Sequence, residues 1–156
     1  MTATRFTSFP RTQPPPDFVS SVVAVFDAHT TSISTVALDK GLTSDEVLSA
    51  LRTDLLESGF EVEAGKRASE KVQRPVFFGE NGEPRLRYEI DAYHAGWRCG
   101  LEVEAGRAWM GNAFYRDLVQ AMVMVGVDHL LIAVPVMYKY NAGGKATSHD
   151  AYQSSM

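Results

Sequence analysis

Apolar positions change their spacing several times along this chain, and each change marks an element. In FVSSVVAVFDAH, residues 18–29, Phe18, Val22, Val25 and Phe26 recur at the interval of one helix face. Asp17, just before them, offers a cap. Thr43 with Glu46 three residues on forms a capping box. In the segment behind it, EVLSALRTDLLESG, Val47, Leu48, Leu51 and Leu55 share a face until Gly59 ends the helix. The period then falls to two. FEVEAGKR alternates Phe60, Val62 and Ala64 with charged residues, which predicts a half-buried strand. EKVQRPVFFGENGEP holds a proline and an Asn-Gly pair, marking a loop or an irregular hairpin. RLRYEIDAYHAGW alternates again, with Leu86, Tyr88, Ile90 and Ala92 set against Arg87, Glu89, Asp91 and Tyr93. A turn at Ala95-Gly96 leads into CGLEVEAG, so these two runs predict an antiparallel hairpin.

NAFYRDLVQAMVMVG is apolar on almost every side, with Asn112 as cap and Gly126 as stop, and predicts a largely buried helix. HLLIAVPVMY is nearly continuous in apolar residues, the signature of a strand covered on both faces. Strand, helix and strand in that order predict a crossover with parallel strands. The sum is helix, strand, strand, strand, helix, strand: an α/β sandwich with a small mixed central sheet. Residues 1–16 carry four prolines and read as a flexible N-terminal arm. Residues 17–140 form a single domain, and residues 141–156 a loose C-terminal tail.

Composition narrows this little. With 156 residues, 45% hydrophobic and 22% charged, the chain can bury a core and is neither disordered nor fibrous. Its net charge of −4 argues against tight non-specific nucleic-acid binding, while leaving room for a local basic patch. The single cysteine, Cys99, excludes an internal disulfide framework and a cysteine-based zinc site, which suits a reducing cytoplasm. No signal peptide is visible, and no apolar run is long enough to span a bilayer.

The candidate chemistry lies in CGLEVEAG. Leu101, Val103 and Ala105 project to one side of the strand, Glu102 and Glu104 to the other. In a tight hairpin, Asp91 on the preceding strand approaches them. Two carboxylates about 5 Å apart repel by roughly 3 kcal/mol at an effective dielectric of ~20, so three need a proton, a basic side chain or a cation. A hard divalent ion such as magnesium takes one or two carboxylates plus waters and phosphate oxygens.

Ile90-Asp91 followed by Leu101-Glu102-Val103-Glu104 resembles the core of the restriction-endonuclease-like superfamily, whose motif is written PD-(D/E)XK. The resemblance spans roughly residues 43–138 and extends to that family's helix, three strands, helix and strand. It implies a restriction-endonuclease-like fold for the domain and a Mg2+-dependent DNA endonuclease, with Mn2+ as substitute. Asp91 and Glu102 would be the metal-ligating pair, and the backbone carbonyl of Val103 would complete the site. Ile90 stands at the motif's proline and Glu104 at its lysine. A branch that includes the Bam and Bgl type II restriction enzymes carries glutamate or glutamine there, and in it this residue positions or deprotonates the attacking water. Further implications are DNA as partner, a homodimer, and a cognate methyltransferase in the same system.

Among basic residues, Lys66, Arg67, Arg107 and Arg116 could reach substrate phosphates, although the acids of residues 61–83 nearly balance the first two. His29, His94, His129 and His149 show no metal-ligand spacing and read as structural or exposed. No glycine-rich phosphate loop, Ser-His-Asp pattern or dinucleotide fingerprint occurs. Two other readings stay open: a nuclease-fold binding or assembly module without catalysis, and an unrelated α/β protein whose glutamates face water.

Overall fold

The structure is a computed structural model that describes residues 4–36, 40–105, 112–142, 145–150 and 152. Residues 4–16 run without regular structure, and the Thr4 amide donates to Asp27 Oδ1 (2.8 Å). Three helices follow, α1 (Val19–Ala28), α2 (Thr30–Ile33) and α3 (Ser44–Glu57). Helix α1 buries Val19, Val22 and Val25. Its cap position is Phe18, with no side-chain cap; the Asp17 carbonyl instead receives the Ser20 hydroxyl at 2.7 Å, so the expected Asp17 cap does not form.

The capping box of α3 does form. The Glu46 amide donates to Thr43 Oγ1 (3.2 Å), and the Thr43 amide donates to Glu46 Oε2 (2.7 Å). This cap holds the Glu46 carboxyl below its ordinary value, chiefly through the Thr43 amide. Helix α3 ends at Gly59, whose φ of +94° favours glycine and where a Cβ would lie 2.9 Å from His94 Nε2.

The strands are β1 (Glu61–Val62), β2 (Val72–Phe78), β3 (Pro84–Ile90), β4 (Ala92–His94) and β5 (Cys99–Val103). After them come α4 (Ala113–Val123), β6 (His129–Ala133), β7 (Met137–Ala142) and β8 (Lys145–Asp150). A four-stranded mixed sheet has the order β1-β4-β5-β6, with β4 antiparallel to both neighbours and β5 parallel to β6. The parallel crossover through α4 is therefore as expected. The hairpin partner of β5 is only the three-residue β4, because β3 leaves the sheet and pairs with β2 in its own antiparallel ribbon. That ribbon is irregular, with register shifts between Pro75 and Phe78 and a turn through Asn81 and Gly82, both at positive φ.

One face of the sheet packs on the helices: Ala92, Leu101 and Val103 meet Val22, Val25, Leu51 and Leu55. Leu51 and Leu55 have no exposed surface, and truncating either to alanine removes about 2–5 kcal/mol. The opposite face is covered by the ribbon and the turn after α4, through Val72, Ile90, Tyr93 and Met124. There Gly100 lets Ile90 approach, since a Cβ on it would sit 2.3 Å from Ile90 Cδ1.

Four expectations need correction. Helix α4 is not largely buried: only Asp117 and Ala121 are, while Tyr115, Val119 and Met122 point outward. Asn112 precedes it at φ 61°, without the side-chain cap, and the Arg116 amide uses its carbonyl. Strand β6 is half-buried from Leu130 to Ala133 rather than fully covered. Lastly, the tail is not loose throughout, because β7 and β8 pair from Met137↔Asp150 to Ala142↔Lys145.

Candidate active site

Alternation along β5 puts Gly100 and Glu102 on the side opposite Leu101 and Val103, and Glu104 continues that side. The Glu104 amide donates to the Ala133 carbonyl (2.8 Å), which carries the β5–β6 pairing one residue past the strand. Asp91 occupies the bend between β3 and β4. With Ala92 opposite Leu101, the β4–β5 register would set Val103 opposite Ile90, but there the chain has already turned into the ribbon. The Val103 amide donates instead to Asp91 Oδ2 at 2.7 Å. A carboxylate thus fills a gap that divergence of the backbone opens, and this fixes Asp91 against β5.

Asp91 and Glu102 lie within side-chain hydrogen-bonding reach of each other. Burial raises the Asp91 carboxyl, the Val103 amide opposes that rise, and the charge of Glu63 adds to it. Burial, followed by the charges of Asp91 and Asp117, pushes Glu102 up to about 9. Glu104 is pushed to about 7, first by burial and next by the Asp117 carboxyl, with the Arg116 guanidinium pulling it back. Proximity and desolvation both favour the neutral acid, and one exposed guanidinium does not offset them.

Asp117 belongs to this group, and sequence reasoning missed it. Its side chain, on α4, is only 4% exposed. Oδ1 accepts from Arg116 Nε (2.9 Å) and Nη2 (2.8 Å), while Oδ2 is buried with no hydrogen-bond partner. A lone acid inside the apolar run FYRDLVQAM was the available signal, because such a residue is rarely buried without a reason.

The structure therefore brings Asp91, Glu102 and Glu104 together on one side of the sheet, with the Val103 amide bonded to Asp91. Arg116 joins them, its Nη2 being 3.9 Å from Glu104. Lys66 is exposed and pairs with Asp45 at 3.2 Å. Arg67 stands before a short turn in which its amide donates to Glu70. Arg107 lies outside the described residues.

His94 is structural: it stacks on Trp97, accepts from the Trp97 amide and contacts the Ser58 carbonyl. Cys99 is a buried free thiol, pushed by burial to about 12. An apolar cavity of about 1000 Å3 lies between the N-terminal arm, α1 and α4, lined by Phe6, Phe18, Val22 and Met122 among others. None of the four carboxylates lines it.

As the side chains stand, the described residues form no cluster of three or more His, Cys, Asp or Glu arranged to hold a metal ion; the carboxylates meet in pairs. A pair is what a magnesium-type ion asks of protein, the rest of its shell being waters and phosphate oxygens. All the donors are hard oxygens, and the one cation paired with them is the exposed guanidinium of Arg116. No helix among the described residues is long and apolar enough to cross a membrane. No family model, curated protein or solved structure matches this chain.

Proposed function

We propose that this chain is a metal-dependent endonuclease that hydrolyses DNA phosphodiester bonds, with a fold of the restriction-endonuclease type. The observation that carries the reading is the meeting of Asp91 and Glu102, half-buried and shifted toward protonation, on one side of a mixed sheet. The fold supports it. Leaving out the β2–β3 ribbon, the elements run α3, β1, β4, β5, α4, β6, the helix, three strands, helix and strand of that superfamily.

In this reading Asp91 and Glu102 would hold Mg2+, which would supply charge stabilisation at the phosphoryl group and the leaving oxygen. Asp91 is kept in place by the Val103 amide. Glu104, titrating near neutrality, orients the attacking water and accepts its proton. The water oxygen bonds to phosphorus as the bond to the leaving sugar oxygen breaks, and that oxygen takes a proton from solvent. Arg116, exposed at the rim, is placed to meet a substrate phosphate.

Supercoiled plasmid incubated with the protein and Mg2+ should be nicked or linearised, and Glu102→Ala should leave it intact. Wild type indistinguishable from Glu102→Ala with both Mg2+ and Mn2+ would remove catalysis. A second reading, a nuclease-fold binding module without catalysis, is favoured by one feature: Glu104 occupies the place of the motif's lysine. It predicts a chain that binds Mn2+ and leaves the plasmid whole.

A further inference from the structure

Strand β6 is the edge of the four-stranded sheet, and that edge is half-buried. The His129 amide donates to the Arg98 carbonyl (3.1 Å), and the Ala133 carbonyl accepts from the Glu104 amide (2.8 Å). Successive residues of a strand turn to opposite sides, so His129, Leu131 and Ala133 bond toward β5. The N–H and C=O groups of Leu130 and Ile132 therefore point away from it. Among the described residues no strand pairs with that outer side. Leu130 and Ile132 instead line the apolar cavity of about 1000 Å3.

That cavity lies where a fifth strand would run. Helix α1, which packs on the sheet face carrying Leu101 and Val103, lines it on one side. Helix α4, whose Asp117 reaches the Glu104 side of β5, lines it on the other. Apolar walls alone would suit a lipid-like molecule. Such an occupant, however, would leave the outer backbone groups of Leu130 and Ile132 without partners, at about 1–3 kcal/mol each. An extended peptide satisfies them and fills both walls with its side chains.

We propose that this cavity takes an extended segment of a partner protein, about as long as β6, which adds a strand beside Leu130 and Ile132. Charge complementarity says what the segment carries. Of the charged side chains at the cavity, Asp128 is paired with Arg98. Arg5 lies over the Tyr152 ring (5.0 Å) and has no carboxylate partner among the described residues. The segment is thus apolar along its length, because helices flank it on both faces, and acidic where it passes Arg5. None of the four carboxylates of the candidate active site lines the cavity, so the inference stands apart from the nuclease reading.

Fluorescence polarisation on the full chain tests it. The probe is a labelled seven-residue peptide in which valine and threonine alternate between a glutamate at each end. Wild type should bind it, and about ten-fold less well with lysine at the ends; Arg5→Glu should reverse that preference. Methylating the peptide's backbone nitrogens removes its donors without touching the protein, and should abolish binding. Ile132→Pro should do the same, because that N–H lies outside the β5 ladder and a proline is tolerated there. Binding that survives both changes would be mere apolar adhesion and would overturn the inference. So would a wild type that ignores the peptide; dodecanoate bound in its place would give the cavity to a small amphiphile. A wild type that sediments as a dimer, and as a monomer after Ile132→Pro, would put a second copy on the edge and overturn it too.

Discussion

Two groups of carboxylates lie close together in this molecule and are balanced differently. In one, Lys71 sits between Glu63 (2.6 Å) and Glu89 (3.7 Å), and the hydrogen bond to Glu63 leads in raising the ammonium above its ordinary value. In the other, Asp91, Glu102, Glu104 and Asp117 lie near one another, and the exposed guanidinium of Arg116 pairs with Glu104 and Asp117 alone. The groups touch electrostatically, because Asp91 feels Glu63 and Lys71 feels Asp91. Both contain well-buried acids, so burial is not the difference. A lysine inside the first group makes it a structural ion pair, and the second is relieved by retained protons and one exposed guanidinium.

That contrast breaks if the second group proves as stable at high pH as the first. Folded Glu102 keeps its proton to about pH 9, whereas its ordinary value is 4.5. Between those limits the folded chain holds more protons than the unfolded one, so stability falls as pH rises. Glu104 adds a fall between 4.5 and about 7. Urea denaturation from pH 5 to pH 9 should show a loss of a few kcal/mol. Glu102→Gln should remove much of it, being more stable than wild type at pH 8 and nearly equal at pH 5. A flat wild-type profile would contradict this.

Lys71→Ala should act in the opposite sense. It strands Glu63, whose side chain is 11% exposed, and should destabilise the fold by about 2 kcal/mol at pH 7, read as a lower urea midpoint. No change would show that the pair is incidental. The smallest effect belongs to Lys66→Ala. Its pair with Asp45 is exposed on both sides, so the melting curve should shift by less than about 0.5 kcal/mol.

What could be read from sequence divides along the range of the interactions. The α3 cap depends on Thr43 and Glu46 alone and was legible. The strand–helix–strand crossover followed from element order and chain handedness. The exposure of α4 was not legible, because Tyr115, Val119 and Met122 look like core residues to any pattern, and whether another element covers them depends on remote packing. Asp17 failed as a cap for a similar reason: α1 has apolar residues enough to form by burial without one. The Asp91–Glu102–Glu104 set was visible from alternation plus a short hairpin. Asp117 was not, since its relation to β5 depends on how the crossover brings α4 back over the sheet.

The hydrogen bond from the Val103 amide to Asp91 makes the carboxylate a backbone substitute as well as a candidate ligand. Chemistry and architecture are entangled at that one atom, so an inactive Asp91 variant would report a frayed seam as much as a missing donor, and Glu102 is the cleaner position to mutate. The same bond supplies a native probe. Any ion that draws on Asp91 Oδ2 competes with the Val103 N–H, and that single amide resonance becomes a gauge of occupancy which needs no label, substrate or turnover.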